Sequence, residues 1–180
     1  MKHSLCCHPG SPCASVRAVE ASARLAEGGG LAVSYRLYGD PGKIRIPETM
    51  FPSTADGLWR HTCLEAFVAA VDSPEYREFN FSPSGQWASY RFSAGRQRDF
   101  GFLPPVAPQV AVQRCADGFC LDALIAPELL PGGAILNIGL TAVIEARDGS
   151  KSYWALTHCA AQPDFHLRQS FSLTLERPTP

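Results

Sequence analysis

Four side chains able to hold a polar ring fall close together in YREFNFSPSGQWASYRF, residues 76–92: Glu78, Asn80, Trp87 and Arg91. A carboxylate accepts hydrogen bonds, a guanidinium donates them, a carboxamide does both, and an indole offers a flat apolar surface. The set suits a sugar, whose C–H face packs on an aromatic ring while its hydroxyls donate and accept. This is chemistry of recognition, not of bond making. The same residue types also fit a plain sheet face, with the Trp covered by a loop and a Glu–Arg pair worth under about 1 kcal/mol.

Whether the four meet depends on the hairpin that carries them. Pro83 supplies the φ wanted at the second position of a type I turn and Gly85 suits the fourth, so the turn spans Ser82 to Gly85. Setting Ser82 opposite Gly85 pairs Asn80 with Trp87, Glu78 with Ser89 and Tyr76 with Arg91. Alternation then assigns Phe79, Phe81, Ala88, Tyr90 and Phe92 to the core, and Glu78, Asn80, Trp87, Ser89 and Arg91 to the open face.

The rest of the chain also alternates with period two between turn residues. In LAVSYRLYGD, Leu31, Val33, Tyr35 and Leu37 share a face. QVAVQRCADGFCLDALI reads as two strands around a type I′ turn at Asp117 and Gly118, with Cys115 opposite Cys120. AILNIGLTAVIEARDGSKSYWAL points Leu136, Ile138, Leu140, Ala142 and Ile144 inward, turns at Asp148 and Gly149, and returns with Trp154; SFSLTLE is the last strand. HTCLEAFVAAV is ambiguous, since Leu64, Phe67, Val68 and Val71 have helical spacing. Its neighbours are strands joined by short turns, which favours a strand.

Length and charge set the outer bounds. A chain of 180 residues without a long linker is expected to be one domain, 1–180. With 16 basic and 17 acidic side chains the net charge is -1, so no global field recruits nucleic acid or an anionic membrane. The longest apolar run, around Ala134 to Ile144, is too short to span a bilayer. The N-terminal stretch lacks a signal-type apolar segment, and the seven cysteines form no regular framework, which points to reduced thiols and the cytoplasm. Cys6, Cys7, His8 and Cys13 lack CxxC spacing and are expected as small buried groups in an N-terminal strand instead of a metal site.

Three motifs, LWRHTCLEAF, YREFNFSPSGQWASYRF and SYWALTHCAAQPDFH, resemble in order the DOMON-like superfamily, in particular a group of small bacterial proteins of uncharacterised role. The resemblance covers most of the chain and implies a β-sandwich. That superfamily includes sugar-binding modules, haem-binding cytochrome domains and members with no known ligand. In the family-nine carbohydrate-binding modules attached to xylanases, two Trp rings clamp a terminal sugar with carboxylate and amide help. By that likeness Trp59 and Glu65 join the candidates, and Trp154 becomes the opposing ring. In a straight strand Trp59 and Glu65 would lie about 20 Å apart, so Trp59 must fold back on a loop. The cytochrome-like relatives hold haem between a Met and a His, which here would be Met50 with His158 or His166. The run Asp164–His166 also fits a structural loop in which the Asp orients the His.

Enzyme signatures are absent: there is no GxSxG elbow or HExxH helix, and the GGG at 28–30 reads as a turn. Glu65, Glu78, Asp164 and His166 make an acid/base set only if they converge. The expectation is an all-β antiparallel sandwich, immunoglobulin- or jelly-roll-like, of nine or ten strands. It binds a carbohydrate or sugar-containing metabolite without catalysis, metal or cofactor, on a concave sheet face built from Trp59, Glu65, Glu78, Asn80, Trp87 and Arg91, with Trp154 and His166 closing the rim. Haem binding is one alternative. A protein-contact face, including a homodimer interface, is the other.

Overall fold

The computed structural model describes residues 1–178. In chain order the strands are β1 (His3–Ser4), β2 (Cys6–Cys7), β3 (Val16–Leu25), β4 (Leu31–Gly39), β5 (Cys63–Ala70), β6 (Tyr76–Phe81), β7 (Trp87–Phe92), β8 (Gln109–Cys115), β9 (Gly118–Ile125), β10 (Ile135–Glu145), β11 (Lys151–Ala155) and β12 (Leu173–Glu176). They form the expected antiparallel sandwich. The smaller sheet has the order β1-β3-β4-β9-β8; the larger has β2-β11-β10-β5-β6-β7, with β12 beside the first half of β10. The expected nine or ten strands become twelve because β1 and β2 are two-residue additions at sheet edges. Cys6 in β2 is exposed and Cys7 only half-buried, so this edge does not bury its cysteines as expected.

Alternation builds the core between the sheets. Leu31, Val33, Tyr35 and Leu37 of β4 meet Leu136, Ile138, Leu140, Ala142 and Ile144 of β10, joined by Phe119 and Leu121 of β9 and Phe79 and Phe81 of β6. The strand β5 is buried along its whole length. Leu64, Ala66 and Val68 enter the core, while Phe67 and Ala69 enter a second cluster with Tyr76, Ala88, Tyr90, Phe92 and Phe171 on the opposite side of the sheet. Burial on both faces erases the polar alternation of a half-exposed strand, which is why this segment mimics helical spacing.

The hairpin β6–β7 departs from the expected register. Gly85 N–H donates to the Ser82 carbonyl at 2.9 Å, so the type I turn forms, but Ser82 N–H then pairs with the Gln86 carbonyl at 2.9 Å. The loop therefore has three residues, closed by Gly85 at φ 93°, a backbone conformation that glycine adopts without a Cβ penalty. Phe81 lies opposite Trp87, Asn80 opposite Ala88 and Glu78 opposite Tyr90. A slip of one residue reverses every side chain of β7. Trp87 thus sits in the core between the sheets, whereas Ala88, Tyr90 and Phe92 turn to the outer side.

A similar shift occurs at β8–β9. Cys115 pairs with Gly118 and Cys120 with Gln113, leaving Ala116 and Asp117 in the turn, neither at positive φ. The turn is therefore not type I′, and the two thiols are diagonal neighbours 3.9 Å apart instead of directly opposed. Gly118 is required by contact: a Cβ there would lie 1.9 Å from the Leu37 carbonyl oxygen.

Two stability outcomes follow from these registers. Trp87→Ala is expected to lower unfolding free energy by about 3–5 kcal/mol, as for a core aromatic; a urea midpoint close to wild type would show the indole lying outside the core. Gly118→Ala should cost at least about 3 kcal/mol because the new methyl meets backbone, and an unchanged thermal midpoint would contradict the packing of β9 on β4.

Candidate functional site

The outer side of the larger sheet carries a cavity of about 370 Å³. Its floor comes from alternate residues of adjacent strands: Glu65 and Phe67 on β5, Glu78 on β6, Tyr90 and Phe92 on β7. Val143 of β10 and Tyr153 of β11, paired across the ladder, extend it. Loops supply the walls. The segment before β5 hydrogen bonds along Trp87, through Trp87 N–H to the Ser53 carbonyl and Ala55 N–H to the Trp87 carbonyl, and then turns through Leu58–Arg60, which brings Trp59 to the rim. The loop between β11 and β12 folds over the opposite side and contributes Pro163, Phe165 and His166.

Two carboxyl groups are buried in this floor. Glu65 is 2% exposed and Glu78 5%. Thr141 donates to Glu65 Oε2 at 3.1 Å, and Asn80 Nδ2 donates to Glu78 Oε1 at 2.9 Å. Burial pushes the Glu65 carboxyl far above the usual carboxylate range, and the neighbouring Glu78 charge adds to that rise. Burial likewise pushes Glu78 up to about 7, against the opposing pull of Asn80, Arg98 and Arg96.

His166 is wedged among the rings of Phe67, Tyr76 and Phe92, with centroids 5.2, 5.9 and 5.1 Å away. Tyr76 Oη accepts from Arg96 N–H at 3.1 Å and is 2.8 Å from His166 Nδ1, so its hydroxyl donates to that nitrogen. The remaining ring proton is on Nε2, 3.7 Å from Glu78 Oε2. Burial, with Arg96 nearby, holds the imidazole neutral by lowering its pKa to about 4. The His166–Glu78 contact is therefore a neutral N–H facing a carboxyl group, not an ion pair at neutral pH.

The cations around the cavity are partly matched. Arg96 Nη2 donates to Asp164 Oδ1 at 2.7 Å. Arg98 lies 4.1 Å over the Tyr90 ring and 3.6 Å from Asp56, whose carboxylate also accepts from the Tyr90 hydroxyl. Asp164 Oδ1 further accepts the backbone N–H of His166 at 3.0 Å, so the acid orients the His loop.

Of the eight expected site residues, Trp59, Glu65, Glu78 and His166 line one cavity. Asn80 is fully buried beside Glu78, where it positions the carboxyl and keeps its own Oδ1 unpaired. Trp87 and Arg91 require correction, because the three-residue loop turns both to the other face: Trp87 is core, and Arg91 Nε donates to Asp99 Oδ2 at 2.7 Å. Trp154 also requires correction. It opposes Ala142 in the core, with its Nε1–H donated to Ser152 Oγ at 2.9 Å, and its neighbour Tyr153 takes the outward position. Tyr90 and Phe92, expected as core, are the rings that the floor presents instead. The signal that could have revealed them is Gly85, read as the third residue of a loop closed by Gln86.

The haem alternative is not assembled. Met50 lines a separate depression with Pro47, His61, Ser84 and Gln86, His166 lines the main cavity, and His158 donates Nε2–H to the Cys6 carbonyl at 2.9 Å. Among the described residues no group of three or more His, Cys, Asp or Glu side chains could hold a metal ion. No helix there is long and apolar enough to cross a membrane.

No family model matches the chain, and no curated protein matches it either. Solved structures do resemble it. A candidate carbohydrate-binding protein from Bacteroides uniformis superposes with a TM-score of 0.75 at 13% identity, covering 99% of this chain and 86% of that one. A family 9 carbohydrate-binding module from Caldicellulosiruptor kristjanssonii, solved with glucose, gives a TM-score of 0.61 at 10% identity over 91% of this chain and 78% of that one. With cellotriose the values are 0.59 and 11%, over 94% and 84%. At such identities the likeness establishes the sandwich architecture.

The two displaced pKa values pull stability in opposite directions with pH. Glu78 keeps its proton to about pH 7 when folded but releases it near 4.5 when unfolded, so stability falls as pH rises through that window. His166 binds its proton near 6.5 when unfolded and only near 4 when folded, so stability falls as pH drops through that range. Relative to wild type, Glu78→Gln should tilt the curve toward greater stability at pH 6.5 than at 4.5, and His166→Gln should tilt it the other way, each by on the order of 1–3 kcal/mol. Urea midpoints at both pH values check this; parallel curves for the two variants would refute the assignment.

Proposed function

We propose that the chain is a carbohydrate-binding domain that makes and breaks no bonds, and that the cavity on the outer side of its larger sheet is the binding site. The observation that carries this reading is the meeting of Trp59, Tyr153 and Phe165 with the buried Glu65 and Glu78 in one open basin. Rings offer surfaces for the C–H faces of a sugar, and carboxyl groups fix its hydroxyls. The fold adds support, because similar modules hold glucose and cellotriose. DOMON-like membership, a single domain and a cytoplasmic location, argued above from motifs, length and thiol content, belong to the same proposal.

Trp59 provides a clean test, since it is 47% exposed and its removal leaves no hole in the core. Calorimetric titration with glucose and cellotriose should show saturable binding, weakened about tenfold in Trp59→Ala through loss of the indole contact, a change of about 1.4 kcal/mol. Absence of binding to either sugar and to a wider panel of mono- and disaccharides would remove the proposal.

A further inference from the structure

The floor of the cavity holds two buried acids that its surroundings have not matched with a cation. Glu65 Oε1 and Glu78 Oε2 each lack a hydrogen-bond partner among the described residues, although both side chains are more than nine-tenths buried and line the cavity. From the strands, Cys63, Tyr76 and Tyr90 face this pair without adding a cation, and Tyr35 Oη donates to the Glu65 carbonyl. From the loops come Arg96, engaged by Asp164, Arg98, shared with Asp56, and the neutral His166. Lys151 also lines the cavity, but it stands opposite Glu145, and its backbone lies four residues along the ladder from the Thr141 that faces Glu65, or roughly 13 Å at strand spacing. No cation is dedicated to the two acids.

We propose that the cavity takes a sugar bearing a protonated amine, an amino sugar, with its ammonium group set against the free oxygens of Glu65 and Glu78. The inference rests on the carbohydrate reading above and narrows it to a chemical class. An ammonium supplies up to three donors and the missing positive charge at once, and a charge-assisted hydrogen bond is stronger than a neutral one. The walls suit the same ligand: Phe67, Tyr90, Phe92, Tyr153 and Phe165 can face either a cation or the C–H side of a pyranose ring. A neutral sugar would give hydroxyl donors but no cation to set against the acids. An anionic one would meet them unfavourably.

Seating the ammonium requires at least one ionised acid, so binding below neutrality expels a proton from the floor to the buffer. Titration calorimetry at pH 6 with glucosamine, glucose and N-acetylglucosamine, each in two buffers of different ionisation enthalpy, reads both consequences. The expected result is that glucosamine binds at least about tenfold more tightly than the other two. Its heat alone should vary with the buffer, reporting proton release. Glu78→Gln and Glu65→Gln should each shrink the preference for glucosamine, and the wild-type comparison decides the matter should a variant not fold. Equal affinities for all three sugars, or tight glucosamine binding without proton release, would overturn the amino-sugar assignment and leave carbohydrate binding standing. No binding by any of the three sugars at pH 6, together with none for the neutral panel, would remove both.

Discussion

The hydrogen bond from Ser82 N–H to the Gln86 carbonyl determines which side of β7 meets the cavity, and much of the site follows from it. It closes a three-residue loop whose last member, Gly85, has φ 93°. With that register Tyr90 and Phe92 join Tyr76 and Phe67 in a second apolar cluster on the outer side of the sheet. The cluster gives Phe171 and His166 something to pack against, so the loop between β11 and β12 folds back over the sheet to form a wall. A two-residue loop would have reversed β7, placing Ser89 and Arg91 where Tyr90 and Phe92 now stand and Trp87 in the place of Ala88.

The site is also where the protein departs from what stability alone favours. Burying a carboxyl group without a cation is costly unless it keeps its proton, and both Glu65 and Glu78 are displaced in that direction. Partial support comes from Thr141 and Asn80, and Asn80 leaves its own Oδ1 unpaired. On the same face of these strands Phe67, Ala69 and Tyr76 are apolar and well packed, so the sheet does not need acids there. Concentrated polar burial in an otherwise apolar sheet is the pattern of a recognition site, where a ligand completes the missing contacts.

Similarity to other sandwiches at 10–13% identity is consistent with how this core is made. The core asks only for apolar side chains at alternate positions of facing strands, which many residue combinations satisfy at similar volume. The polar floor of the cavity on the outer face of the larger sheet is under no such demand. Sites on one architecture can therefore diverge in chemistry while the layers beneath them persist, and function has to be argued from the residues of the cavity.

Alternation along β4 and β10, with turn residues between strands, was enough to specify the all-β class, the inward faces of both strands and the burial of Leu31, Val33, Leu136 and Ile138. Glu78 stood out on the polar face of its hairpin, Glu65 through the family likeness, and His166 as a rim residue or haem ligand next to Asp164. Tertiary structure alone decided that Trp87 and Trp154 belong to the core while Tyr90 and Tyr153 face the cavity. The reason is physical: side chains in a strand alternate with period two, so local pattern identifies two faces but cannot say which is buried when both are apolar. That choice is made by loop length and by what packs from far along the chain, here Gly85 at a hairpin tip and Phe171 in the segment before the last strand.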